Sequence, residues 1–213
     1  AGHPIPDKNS FMGTKEILKI IEKEKKDSIF LIMLSGGASS LFIYPREGIN
    51  LREKIKTTEI LLKKGADIFE LNCLRKHLSR VKGGNLLKFI YPSPTISFII
   101  SDVIYDKLDV IGSGPTYPDE TTFKDAMDIL KKYKIIKKVP ENVLNLLRKG
   151  VEGKIEENPK RKDKIFKKVK NILIGNNLIA LKEIKKKAEE KGILSKIMSK
   201  DLSGEAREVG KKL

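Results

Sequence analysis

The 213 residues carry a formal net charge of +16, with 39 % hydrophobic and 34 % charged residues. No run approaches the roughly 20 continuous apolar residues of a membrane span. No basic segment leads into a signal-like apolar stretch, and Cys73, the single cysteine, excludes an intrachain disulfide. The chain is long enough for one large domain and suits a reducing, cytoplasmic setting.

The charge is unevenly spread. Residues 1–120 hold 18 Lys/Arg against 15 Asp/Glu, whereas residues 121–213 hold 26 against 13. The excess is mostly lysine in helical patterns, such as Lys131, Lys132 and Lys134, or Lys185, Lys186 and Lys187. A strand-binding surface interleaves Arg with stacking aromatics, and this half has no Trp and few aromatics. A solvated lysine-rich surface is therefore expected, with nucleic acid disfavoured as a partner.

Helical and strand patterns alternate. Ser10 is expected to cap a helix to about Lys26, followed by a central strand over Ser28–Leu34. Helices are expected over Leu51–Lys64, ended by Gly65, and over Asp67–Lys82, ended by Gly83-Gly84. A strand follows at Thr95–Ser101, then a loop at Gly112–Pro115. Thr121 or Thr122 caps a helix to about Tyr133, and Pro140 opens another. After a polar loop over Gly150–Asp163 come a strand at Val169–Ile174, a helix at Asn176–Lys191 and a strand at Ile193–Ser199. The pattern predicts an α/β fold, a mainly parallel sheet covered by helices, with ligands where strands end. Both termini interrupt patterned sequence, so the chain is expected to be truncated at each end.

Three motifs carry chemistry. Ser35-Gly36-Gly37-Ala38-Ser39-Ser40 follows a strand directly; small residues let a phosphate approach backbone N–H groups. The alternative is a plain strand-to-helix turn. It is not a Walker A loop, since no Gly-Lys-Ser/Thr follows. In the helix from Asn72 to Gly84, an apolar stripe of Leu71, Leu74, Leu78 and Val81 leaves Asn72, Lys76, Ser79 and Gly83 on another face. Arg75 and Lys82 lie at its margin. Such donors and cations suit an anionic substrate, the alternative being a solvated basic face. His77 and Cys73 lie off that face and read as structural. The third motif is Ser101-Asp102-Val103 with Asp106 and Asp109, followed by Gly112-Ser113-Gly114-Pro115. An Asp at a strand's carboxyl end is placed for general-base or metal–phosphate work, or it caps the next turn. Gly112-x-Gly114 lacks the third glycine of a dinucleotide fingerprint.

With these residues in view, the chain resembles the glycerate 2-kinase family (class II glycerate kinases), often labelled hydroxypyruvate reductases. The likeness runs in order through Ala1–Asp7; Ser35-Gly36-Gly37; Asn72 with Arg75–Ser79 and Lys82-Gly83-Gly84; Ser101-Asp102-Val103; Gly112–Thr116 with Pro118-Asp119 and Thr121-Thr122; Gly175-Asn176-Asn177; and Gly204–Arg207. The resemblance implies transfer of the ATP γ-phosphoryl group to the 2-hydroxyl of D-glycerate, with Mg²⁺. It also implies that residues 1–213 form most of one Rossmann-like amino-terminal domain, the carboxy-terminal domain being absent. Functional Lys and Arg residues in flanking segments would then be missing and the site incomplete. Ala38 and Tyr105 each stand where the family usually has glycine.

On this reading Asp102 is the base or metal-associated acid, and Asp106 is a second candidate metal ligand. Ser35, Gly36 and Gly37 cradle phosphate. Arg75, Lys76 and Lys82 hold carboxylate or phosphate charge, and Asn72 and Ser79 orient those charges. Gly83, Gly112, Ser113, Gly114 and Asn176 complete the expected substrate and nucleotide contacts. D-glycerate and ATP are the expected partners, with no membrane and with homodimerisation left open. Two rivals are a nicotinamide-dependent hydroxypyruvate reductase and a non-catalytic nucleotide- or anion-binding fragment.

Overall fold

The computed structural model describes residues 1–25 and 27–211. Helix α1 (Lys8–Lys23) begins at Asp7, whose carboxylate accepts the Ser10 amide at 2.8 Å. Ser10, the expected cap, is instead the third helical residue and completes a reciprocal capping box. An Asp carboxylate has the further advantage of facing the positive end of the helix. The helix ends at Lys23, and the expected end at Lys26 lies outside the described residues.

Strand β1 (Phe30–Leu34) runs into the short helix α2 (Ala38–Leu41). Helices α3 (Leu51–Leu62), α4 (Ile68–His77) and α5 (Leu87–Ile90) precede β2 (Thr95–Ile100). Helices α6 (Phe123–Lys132) and α7 (Glu141–Val151) lead on to β3 (Val169–Gly175), α8 (Asn177–Glu190) and α9 (Ala206–Gly210). Asn50, Asp67 and Thr122 start their helices with capping boxes closed by Glu53, Glu70 and Asp125, so Thr122 is the threonine that caps α6.

The three strands are parallel in the order β1-β2-β3, with Phe30 opposite Thr95 and Thr95 opposite Val169. The α/β class is therefore as expected. Strand β1, however, lies at an edge of the three rather than in the centre. Its uninterrupted apolar run conceals an alternation. Phe30 and Ile32 pack with Leu18 and Ile21 of α1 and with Leu87 and Ile90 of α5, while Leu31 and Met33 point to the other face and stay exposed. A second core joins α3, α4, α6 and α7 through Leu61, Leu74, Phe123, Leu130, Val143 and Leu147.

Two expected elements differ. Helix α4 stops at His77, five residues before Lys82, because the chain then pairs with residues 44–46. Ser79 forms an isolated antiparallel bridge with Pro45, the Arg80 amide donates to Tyr44 O at 2.9 Å, and the Arg46 amide donates to Leu78 O. Residues 193–199 form no strand. Their apolar members Ile193, Leu194 and Met198 are exposed and face no strand partner among the described residues.

Gly150 allows α7 to lie against α6: a Cβ there would overlap the Phe123 ring. Gly150→Ala is expected to destabilise the protein by about 1–3 kcal/mol despite the better helix propensity of alanine. Urea unfolding measures this, and an unchanged midpoint would contradict the packing.

Candidate active site

Parallel neighbours β1 and β2 present their carboxyl ends side by side, which brings the first and third motifs together. The Asp102 carboxylate lies directly over Gly36: a Cβ at Gly36 would sit 2.5 Å from Asp102 Oδ2. The second glycine, Gly37, has φ +82° at the start of α2 and lies beneath the His3 ring. The double glycine thus serves two demands, a close carboxylate and a left-handed turn. Gly36→Ala is expected to displace Asp102 and cut any activity that depends on it by about tenfold or more, with the fold retained. Circular dichroism with an activity assay checks this, and full activity would show that Asp102 tolerates the shift.

The segment after α4 ties the loops together. Lys82, fully buried, donates from Nζ to Ala38 O at 3.2 Å and Gly112 O at 3.1 Å. Burial pushes its pKa down to about 7, and the nearby Arg75 cation adds to the effect. The Gly83 and Gly84 amides donate to Ser113 O and Gly114 O at 2.9 and 2.8 Å. Ser113 Oγ donates to Asn72 Oδ1 at 3.0 Å and lies 3.4 Å from Ser39 Oγ. The Asn72 side-chain NH₂ has no partner among the described residues although it is buried, leaving an unspent donor within the cluster.

Of the expected helical face, Asn72, Arg75 and Lys82 reach this cluster, and Ser79 and Lys76 serve elsewhere. Ser79 Oγ donates to Tyr44 O at 3.3 Å. Lys76 is buried against Asp119, Nζ to Oδ1 3.4 Å, with Asp109 at 3.7 Å. Asp119 also accepts from Thr121 and Asn158. Burial raises the Asp119 pKa, but Lys76, His77 and these hydrogen bonds outweigh it and hold the carboxyl below its ordinary value. Lys76 and Asp119 thus form a buried ion pair. His77 bridges Cys73 O and Glu157, and burial pushes the Cys73 thiol up to about 12.

On the other side of Asp102 a cavity of about 800 Å³ opens at the ends of β2 and β3. Asp102, Asp106 and Asn176 line it. Asn176 caps α8 through Oδ1 and donates from Nδ2 to Asp106 Oδ2 at 2.5 Å. Tyr105 has φ 66°, a left-handed conformation that favours glycine. Its side chain is largely exposed and forms part of the cavity rim, so the tyrosine adds backbone strain at the edge of the site.

A second, smaller cavity of about 240 Å³ lies between α2, α3 and α4, lined by His3, Lys54, Arg75 and Lys82. Lys54 was not among the residues singled out by motif. It is buried, and Nζ donates to Arg75 O at 2.7 Å. The signal lay in the helical spacing: Lys54, Thr57 and Leu61 form the buried stripe of α3, and a lysine on such a stripe is out of place unless it serves something.

A Gly-Gly turn after one strand, an Asp at the end of the next and a cavity beside it form the kind of strand-end crevice in which parallel-sheet proteins place ligands. More closely, the chain belongs to the family described as Domain of unknown function (DUF4147), whose profile matches residues 1–148. It is 46 % identical over 99 % of its length to the Glycerate 2-kinase of Pyrococcus horikoshii, covering 47 % of that protein. It is 41 % identical over 99 % of its length to the D-glycerate 2-kinase of Thermotoga maritima, covering 48 %. The crystal structure of a glycerate kinase from Thermotoga maritima superimposes with a TM-score of 0.86 at 40 % identity, over 100 % of this chain and 48 % of that one. The chain spans about half the length of the curated relatives it matches. No helix among the described residues is long and apolar enough to cross a membrane.

Proposed function

We propose that this chain supplies acceptor- and nucleotide-binding elements of a kinase that transfers the ATP γ-phosphoryl group to D-glycerate, giving 2-phosphoglycerate. The observation that carries the proposal is the Asp102 carboxylate held against the Gly36 backbone at the junction of two strand ends. Phosphoryl transfer asks a protein for positioning and charge neutralisation more than for covalent help. Asp102 accepts the proton of the acceptor hydroxyl as the oxygen attacks phosphorus. The Ser35–Gly37 backbone and the 800 Å³ cavity suit a nucleotide phosphate chain. The names of the relatives favour a kinase over the reductase, as does the missing dinucleotide fingerprint.

Among the described residues no group of three or more His, Cys, Asp or Glu can hold a metal. Mg²⁺ does not require such a cage, because it keeps waters and phosphate oxygens with one or two carboxylates. Asp102 and Asp106, which line one cavity, fit that pattern. A bound Mg²⁺ would neutralise phosphate charge there.

Coupled ADP release with D-glycerate tests the reading. D-glycerate-dependent ADP formation is expected from protein containing this chain. Oxidation of NADH by hydroxypyruvate in its place would overturn the kinase reading.

A further inference from the structure

Three cations face the 240 Å³ cavity beside α3: Lys54 and Lys82, both buried, and Arg75, half-buried. Among the described residues none of the three is in an ion pair, and Glu59 is the only acidic residue in the lining. Their donors are only partly used. Lys54 gives one hydrogen bond, to Arg75 O, and Lys82 gives two, to Ala38 O and Gly112 O. The Arg75 guanidinium gives none among the described residues. Each ammonium has three N–H groups and the guanidinium five, so several charged donors remain.

Unpaired buried cations are costly, and neighbouring like charges make them more so. The strain is visible in every member: burial lowers the pKa of Arg75, and burial with its cationic neighbours lowers those of Lys54 and Lys82. A carboxylate or phosphate group in the cavity offsets this cost.

The walls limit what that anion is. The volume lies below the roughly 300–1,000 Å³ of a drug-sized ligand site, too small for a whole nucleotide. Ile43, Ile55 and Leu62 give it apolar sides, while Ser39 and His3 add polar groups where the cavity meets the glycine turn.

We infer that the cavity walled by Lys54, Arg75 and Lys82 is an acceptor subsite for a small hydroxy-carboxylic acid, with Lys54 as a binding residue for its carboxylate. The identity of the acid as D-glycerate rests on the kinase reading; the anion site itself rests on the cations. The subsite borders α2 through Ser39, and the turn that leads into α2 carries Gly36 under the Asp102 carboxylate. An acid seated by its carboxylate there lies beside the segment that carries Gly36, the glycine under Asp102.

The test compares this chain with Lys54→Met, which keeps length and removes charge. Isothermal titration with D-glycerate, inorganic phosphate and ATP–Mg²⁺ is paired with thermal unfolding in anion-poor buffer. The expected result is D-glycerate binding that falls about 10- to 100-fold in Lys54→Met, as for a lost charged hydrogen bond. In the absence of added anion the variant is expected to be at least as stable as the wild type. Equal D-glycerate affinity in both proteins overturns the subsite, and so does binding of inorganic phosphate without D-glycerate. A variant that unfolds earlier without anion also overturns it, because Lys54 would then serve the fold through Arg75 O. Lys54-dependent D-glycerate binding with no ATP–Mg²⁺ binding supports the subsite while removing the kinase reading.

Discussion

Asp102→Asn is expected to lower phosphoryl transfer to D-glycerate by about 10²- to 10⁴-fold, the range for removing a positioned general base. Asn is nearly isosteric, so the contact with Gly36 survives and the turn should hold its shape. What is lost is the capacity to take a proton from the attacking hydroxyl and the negative charge that favours a bound cation. The measurement is coupled ADP release by a D-glycerate-active protein containing this chain, with circular dichroism to verify the fold. A drop in kcat with KM for D-glycerate nearly unchanged identifies a role in the chemical step. Turnover close to wild type would remove Asp102 from the mechanism.

Lys82→Met is expected to stabilise the protein near neutral pH and to flatten its stability profile. In the folded chain burial holds Lys82 at about 7, against an ordinary value of 10.5. Between those values the unfolded chain binds more protons, so stability rises with pH across that window. Below about pH 7 both states are protonated and the full cost of the buried charge is present, on the order of 4–5 kcal/mol. The methionine removes that cost and forfeits two hydrogen bonds, to Ala38 O and Gly112 O, worth about 1–3 kcal/mol apiece at most. Lys54, lowered in the same direction, leaves part of the slope in place. Urea unfolding from pH 6 to 10 measures both proteins. A wild-type profile that is flat, or that falls with rising pH, would contradict the assignment.

The sequence disclosed the parts of the fold that depend on local signals. The glycine at Gly65, the threonine cap of α6 and the apolar runs of β1 and β2 placed most elements within a few residues. It did not disclose the end of α4. The apolar stripe through Leu78 and Val81 keeps helical spacing, yet both residues are buried after the helix has ended, because residues 44–46 claim the backbone. That change of path separates Ser79 from Asn72 and turns Lys82 inward. Periodicity also could not tell a paired strand from the exposed apolar residues 193–199.

The site was legible in its motifs and obscure in its pairings. Ser35-Gly36-Gly37 and Asp102 stand out in sequence, and the sheet brings them together because their strands are parallel neighbours. Lys76 looked equivalent to Lys82, six residues further along. Its partner Asp119 lies 43 residues downstream, and such a pairing leaves no local pattern. Lys54 belongs to no motif; its meaning comes from burial beside Arg75.

Isothermal titration of this chain with D-glycerate and with ATP–Mg²⁺ tests the central claim most directly. The predicted result is saturable binding of both ligands, with D-glycerate affinity weakened by Lys54→Met. Binding of neither ligand by a folded chain would contradict the assignment of a kinase site to these strand ends.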